Sequence, residues 1–273
     1  MNKQDILKDY KKQEDKMCLA QVLDKIENAS KKGKIEYTDF LDMYQVSLVE
    51  SFLKKIKFEN YILFGGYKNA ERKILIVYGD KYDETMIQKN YDKMLKVVKI
   101  ELPEEEHNKY VHRNYLGGIV KLGLRREKVG DIIVAKDGAD IIVINEFSNI
   151  LKEQLPSLKR FENSNIKIVN LEELRKVEIK TEELKIIVPS LRLDNIVSDL
   201  ARTSRSKASE IIAQERVFIN GQSETKNSKN IKLNDIITIR GKGRFIIKEF
   251  TGTTRSGRTV ILIESYRWKI CLM

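Results

Sequence analysis

Cations gathered where a helix begins are the residues of this chain that point first to chemistry. In "TSRSKASEIIAQERVFINGQ" (203–222), Arg205 and Lys207 follow Ser204 at the start of a short helix that leads into a strand and an Asn-Gly turn. The N-terminal end of a helix already carries partial positive charge, so Arg and Lys there are unfavourable unless an anion arrives. Backbone N–H groups and cations in one place make a seat for phosphate. Arg192 and Arg202 could flank such a seat, and Arg216, Lys226, Lys229, Arg240, Lys242 and Arg244 supply further charge. Between the last three, Gly241 and Gly243 would let a backbone approach closely. Read alone, these cations fit a solvated basic face equally well.

Other chemistry is harder to find. "HRNYLGGIVKLGLRREK" gathers His112, Arg113 and Tyr115, but Gly117 and Gly118 read better as places for tight helix packing than as part of a catalytic site. Arg125, Arg126 and Lys128, with His112 and Arg113, make a second candidate contact for a polyanion. No carboxylates form a recognisable catalytic pair, and dinucleotide, Walker, HExxH and GxSxG motifs are absent. Cys18 and Cys271 lie near opposite ends without metal-ligand spacing, so neither a disulfide framework nor a metal site is expected, and a reducing compartment is. No catalytic residue and no cofactor is assigned.

The elements that must position these groups follow from composition and period. The chain has 273 residues, 41% hydrophobic and 33% charged, enough for two or three domains with real cores. Its net charge is +11, and the segment from Ser190 to Lys269 holds 16 Lys and Arg against eight Asp and Glu, so the basic character is regional. That favours a polyanionic partner. The opening "MNKQDILKDYKKQEDK" is too charged for a signal peptide, and no apolar run approaches the roughly 20 residues that span a bilayer. Cytoplasmic location and no membrane insertion are the expectations.

A helical pattern runs from Lys3 to about Ile56, with a second phase after Gly33 that starts at the candidate N-caps Thr38 and Asp39. "NYILFGG" and "KILIVYG" read as a hairpin closing this part. Then come a strand (95–102), a helix (108–124), two strands joined across Asp137-Gly138, a helix (146–155) and a strand (165–170). That order is the split βαβ of ferredoxin-like, RRM-like domains. RNA-recognition domains of that kind stack bases on sheet aromatics, whereas these strands carry Ile and Val, so RNA readout by that face is not expected. A connecting stretch, "LEELRKVEIKTEELKIIVPS", leads to helices faced by Leu193, Ile196, Val197 and Leu200, then Ala208, Ile211 and Ile212. The end of the chain reads as two strands around Ser256-Gly257. The fold class is α+β: a helical N-terminal domain with a hairpin over 1–80, a ferredoxin-like middle domain over 81–175, and a small C-terminal domain with a hairpin over 176–273.

The stretch from Leu191 to Arg240 resembles the small RNA-binding domain named after ribosomal protein S-four: an Arg-Leu-Asp opening, a Ser-Arg helix start, a strand ending in Asn-Gly, and a late Asp before a closing strand. It departs from that pattern at Glu215, where Gly usually ends the second helix. "GGYKNAER" (65–72), "HRNYLGGIVKLGLRREKVGDIIV" (112–134) and "RGKGRF" (240–245) extend the resemblance over the whole chain, to the bacterial YlmH family.

The resemblance implies a ribosome-associated, rRNA-binding factor that recognises the large ribosomal subunit and peptidyl-tRNA in quality control of obstructed subunits, with a link to cell division. It makes Ser204, Arg205, Lys207 and their basic neighbours RNA contacts. The protein is expected to be a monomer when free. Two other readings stay open: an RNA-modifying enzyme of pseudouridine-synthase or methyltransferase type with a diverged site in residues 60–170, and a cell-division scaffold. The Arg-Leu-Asp at 192–194 would suit the first, but Asp194 falls within a helix start, where it would stabilise the helix.

Overall fold

The structure, a computed structural model, describes residues 6–175, 181–240 and 242–266. Gly241 and Cys271, and the middle of the connecting stretch at 176–180, lie outside them. The chain divides into two compact units, Met1–Val177 and Glu178–Met273. Both mix helices with antiparallel sheets.

In the first unit, helix α1 (Gln13–Lys32) stops at Gly33, whose φ of +54° is the left-handed cap that glycine adopts most cheaply. Strand β1 (Ile35–Tyr37) follows, then α2 (Met43–Lys55), β2 (Tyr61–Phe64) and β3 (Ile74–Tyr78), with β3 central in a three-stranded sheet. Neither Thr38 nor Asp39 caps α2. Asp42 does, its carboxylate accepting from Gln45 N at 2.9 Å while the Gln45 side chain accepts from Asp42 N at 3.0 Å. Thr38 instead offers its hydroxyl oxygen to Leu75 N at 3.0 Å, and Asp39 receives the Lys128 ammonium at 2.6 and 2.8 Å.

Two short helices, α3 (Glu84–Gln88) and α4 (Tyr91–Met94), lead to β4 (Leu95–Glu101), α5 (His112–Lys121), β5 (Val129–Ala135), β6 (Gly138–Ile144), α6 (Ser148–Gln154) and β7 (Asn165–Val169). The four strands form an antiparallel sheet in the order β5-β6-β4-β7. Every residue of β6 is buried. Side chains alternate between faces along a strand, and here both faces are covered. Ile141 and Val143 pack with Tyr115 and Ile119 of α5, Leu151 of α6 and Phe161. Ile142 and Ile144 pack with Ile74 and Ile76 of the N-terminal sheet and with Phe40 from the loop after β1. The face on which a nucleic acid would lie in an RRM-like domain is therefore core.

Polar contacts reinforce this joint. Asp131 of β5 accepts from the Tyr67 hydroxyl (2.9 Å) and from the backbone N–H groups of Glu71 (2.8 Å) and Arg72 (3.2 Å). Arg72 donates to the carbonyls of Val129 (3.1 Å) and Phe40 (3.0 Å). Phe40 lies so close to Gly130 that a Cβ there would come within 2.7 Å of its ring. Gly118 is similarly pressed against Phe161, whereas Gly117 faces open space. Of that glycine pair only the second serves packing.

The second unit holds β8 (Thr181–Val188), α7 (Leu193–Leu200), α8 (Arg205–Ala213), β9 (Val217–Ile219), β10 (Gln222–Ser223), β11 (Ile236–Ile239), β12 (Gly243–Thr253) and β13 (Thr259–Tyr266). The sheet order is β10-β9-β11-β12-β13-β8. Read as a connection from sequence, 181–188 is a strand paired with β13 along its whole length. "TEELKIIV" alternates, with Leu184, Ile186 and Val188 on the face that meets the core and Glu183 and Lys185 opposite. Leu193, Ile196, Val197, Leu200, Ala208 and Ile212 from the two helices complete that core against Ile237, Phe245, Ile247, Ile261 and Ile263. Among the described residues no helix is long and apolar enough to cross a membrane. Cys18 is buried and unpaired, and burial pushes its thiol pKa up to about 11.

Helix α8 ends at Glu215 with φ +55°, the left-handed conformation anticipated for glycine. Glu215 N donates to Ile212 O (3.0 Å) and Arg216 N to Ile211 O (3.2 Å), so the cap is made despite the residue. A side chain at such a φ costs about 1–2 kcal/mol, partly offset in glycine by its freedom when unfolded. Glu215→Gly should stabilise the protein by about 0.5–1 kcal/mol in urea unfolding, with an unchanged denaturant slope.

Candidate nucleic-acid interface

Asp194 sits in the first turn of α7 with only 2% of its surface exposed. A carboxylate so enclosed must be matched by donors. Arg192 donates to both of its oxygens, Nε to Oδ1 at 3.1 Å and Nη2 to Oδ2 at 2.9 Å. Arg205, eleven residues later at the start of α8, donates Nε and Nη2 to Oδ2 at 3.0 and 2.8 Å. The side chains of Arg192 and Arg205 remain 37% and 57% exposed, so each guanidinium is gripped on one edge and open to solvent on another. Burial alone would raise the Asp194 pKa; the hydrogen bonds from Arg192 and Arg205 outweigh it and hold the carboxylate below its usual range. Asp194 thus bridges two arginines, a different role from the general helix-start stabilisation expected of it.

The loop after β10 is stitched to the same place. Leu193 N donates to Lys229 O (2.8 Å) and Asp194 N to Asn227 O (3.2 Å), while Ile231 N donates to Leu191 O (2.9 Å). These carbonyls satisfy the first N–H groups of α7 and fix the turn bearing Lys226 and Lys229 beside Arg192. Both lysines are exposed. At the start of α8, Ser204 is the N-cap, its hydroxyl accepting from Lys207 N at 3.2 Å. Lys207 pairs with Glu210 at the exposed surface, an interaction weak enough to be exchanged for a stronger anion. Arg202 occupies the turn between the helices with φ +52° and is exposed.

A second group forms at the end of the β9–β11 pair. Arg240 N donates to Arg216 O (2.9 Å), Arg216 Nη2 donates to Arg240 O (3.3 Å), and the Arg240 guanidinium lies 4.9 Å from the centre of the Phe218 ring. Phe218 did not stand out in the sequence, because an aromatic in a short strand usually faces the core; here it is only half-buried. Lys242 is exposed, Arg244 is half-buried at the start of β12, and Gly243 beside it has φ +122°.

In the first unit the residues proposed as a second contact divide. Arg126 turns inward to the carbonyls of Val129 and Gly130; desolvation, then the nearby Arg72 charge, lower its pKa to about 10. Lys128 is held by Asp39 and lies 5.2 Å from the centre of the Phe147 ring. Both serve the joint between the two sheets. His112, Arg113 and Arg125 are exposed, Arg125 lying 3.4 Å from Glu127.

Three family models match the chain: "YlmH, N-terminal" over 14–82, "Putative RNA-binding domain in YlmH" over 88–176 and "S4 domain" over 191–237. "Ribosome-associated protein quality control protein P2" of Bacillus subtilis (strain 168) is 26% identical over 263 residues, which cover 95% of this chain and 98% of that protein. Among solved structures, "Cell division protein ylmH from Streptococcus pneumoniae" aligns with a TM-score of 0.48 and 17% identity, over 60% of this chain and 97% of that one.

Asp194 has a depressed pKa when folded, so its contribution is present above the unfolded value of about 3.9 and lost as pH falls through the folded one. Asp194→Asn should therefore be clearly less stable than wild type at pH 7. The gap should close as thermal unfolding is followed to below about pH 4, where wild type loses the same charge.

Proposed function

Because the chain belongs to the YlmH family, whose N-terminal and RNA-binding models together with the S4 domain span most of its length, we propose that it is an RNA-binding factor of the large ribosomal subunit, acting in the cytoplasm without chemistry of its own. Its task is quality control of obstructed subunits that carry peptidyl-tRNA. The Bacillus subtilis relative supports this by its name and by matching nearly the full length of both chains.

The observation that carries the reading is the cation cluster ordered around Asp194 inside the S4-matched segment. Arg192 and Arg205 are fixed by one buried carboxylate, and the turn of Lys226 and Lys229 is tied to the same helix start. Such a surface suits phosphates held at set spacings, which fixes position and orientation on structured RNA with little reading of base sequence. Ser204, Lys207 and Arg202 extend it along α8 and the preceding turn, and Arg216, Arg240, Lys242 and Arg244 add a second patch. Phe218 under Arg240 could take a base on its ring.

The middle domain is ferredoxin-like in this reading, supported by the order β5-β6-β4-β7 and the helices between β4 and β5 and between β6 and β7. Its buried sheet leaves His112, Arg113 and Arg125 as the contacts it would offer from its surface.

In sucrose gradients the protein should co-migrate with large subunits in a salt-sensitive manner and more strongly when they carry peptidyl-tRNA. Lys226→Ala/Lys229→Ala, which removes exposed charge without uncovering Asp194, should weaken co-migration by about tenfold and flatten its salt dependence. Wild type that stays at the top of every gradient would overturn the reading.

A further inference from the structure

The S4 match ends at residue 237, but the second unit carries on into a long hairpin. Toward its base Phe245 and Ile247 of β12 and Ile263 of β13 are buried, and farther out Ile261 of β13, opposite Phe250, is buried too, with β13 paired to β8 as far as Thr259. The outer part of β12 is different. From Lys248 to Thr253 every β12 residue is exposed, and so are Arg255 to Arg258 in the turn. Ordering residues that bury little costs conformational entropy without hydrophobic return, so core packing does not explain the exposed outer part of β12 and the turn.

Bulges re-aim the outer part of β12, and the turn closes on itself. Pairing with β13 shifts register between Ile247 and Glu249 and again between Phe250 and Gly252, so Lys248 and Thr251 are extra residues of two bulges. Bulges bend a strand and increase its twist. At the tip, Gly257 N donates to Thr254 O (2.9 Å) and Gly257 has φ +76°, while Thr254 N donates to Arg258 O (2.8 Å). That is a three-residue loop closed by a left-handed glycine, one of the favoured tight hairpins. Arg258 N also donates to the Thr254 hydroxyl at 3.1 Å, and the Thr254 and Ser256 hydroxyls lie 3.0 Å apart.

The chemistry of the tip is one-sided. Between Thr238 and Thr259 there are six Lys and Arg against a single Glu, and "FTGTTRSGRT" (250–259) holds no acid at all. Lys248 at its base is paired with Glu264 at 3.0 Å. Neither the Arg255 nor the Arg258 guanidinium has a carboxylate partner among the described residues. Exposed arginines and hydroxyls at a tight turn are the groups that hold phosphate and ribose.

We infer that the hairpin tip, through Arg255 and Arg258 with the hydroxyls of Thr254 and Ser256, is a separate RNA-backbone contact that grips structured RNA beyond the Asp194 cluster. Because the loop is already closed by its own hydrogen bonds, little ordering remains to be done when RNA arrives. The inference rests on the RNA-binding reading above but concerns a different element.

The test measures binding of the full-length chain to purified large-subunit ribosomal RNA across a salt series. Wild type, Lys226→Ala/Lys229→Ala, Arg255→Ala/Arg258→Ala and the charge-keeping Arg255→Lys/Arg258→Lys are compared, with melting temperatures recorded for each. The double alanine variant should bind about tenfold more weakly and lower the slope of log affinity against log salt by about 1 to 2, while melting as wild type does. The double lysine variant should keep most of the affinity. Unchanged affinity and slope in the double alanine variant, with Lys226→Ala/Lys229→Ala weakened, would overturn the hairpin contact and leave the functional reading standing. Wild type that fails to bind the RNA would overturn both.

Discussion

One buried carboxylate organises the basic surface of the second unit. Asp194 has almost no contact with water, so its charge is tolerable only while Arg192 and Arg205 remain on it. The same constraint works in reverse on the arginines. Each side chain would otherwise sample many rotamers; gripped on one edge, each presents its other edge in a set direction. The amide groups of Leu193 and Asp194 meanwhile hold the Lys226–Lys229 turn, so residues separated by up to 37 positions share one small region. The net effect is a patch that is less positive than its cations suggest and more ordered. Order matters here because phosphates on folded RNA stand at fixed spacings.

In the first unit the governing fact is a sheet with no free face. One side carries α5 and α6 and the other carries the N-terminal sheet, so β6 reads as "GADIIVI", apolar almost throughout. The stretches that tie the chain to its family, around 65–72 and 112–134, are largely spent on this joint: Tyr67, Arg72, Arg126 and Asp131 make its hydrogen bonds, and Gly130 its close approach to Phe40. In the proposed reading, RNA contact from this unit falls on loops and the α5 start, away from the sheet.

Much of the fold was legible because local pattern and tertiary position agreed. The Leu193–Leu200 stripe, the Asp137-Gly138 hairpin and the turn at Ser256-Gly257 are cases where period and turn chemistry leave little choice. Strand β8 was hidden because Glu182, Glu183 and Lys185 dominate its composition, and only the buried Ile186 and Val188 reveal a core face. Asp39 reads from sequence as a helix cap because caps and ion-pair partners are the same residue types; Lys128, 89 positions away, decides between them. The cations at the α8 start were visible as an anomaly, but the partner that relieves it lies one helix earlier. A spacing rule sees neighbours at three or four residues and has no means of pairing Arg205 with Asp194.

The most direct test of this account compares RNA affinity of wild type and Asp194→Asn at neutral pH, using large-subunit ribosomal RNA and protein that is folded at the temperature of the assay. If net charge alone governed binding, removing a negative charge from the patch would tighten it. Because Asp194 sets the directions of Arg192 and Arg205, binding should instead weaken several-fold despite the gain in positive charge. Affinity equal to or tighter than wild type would contradict it.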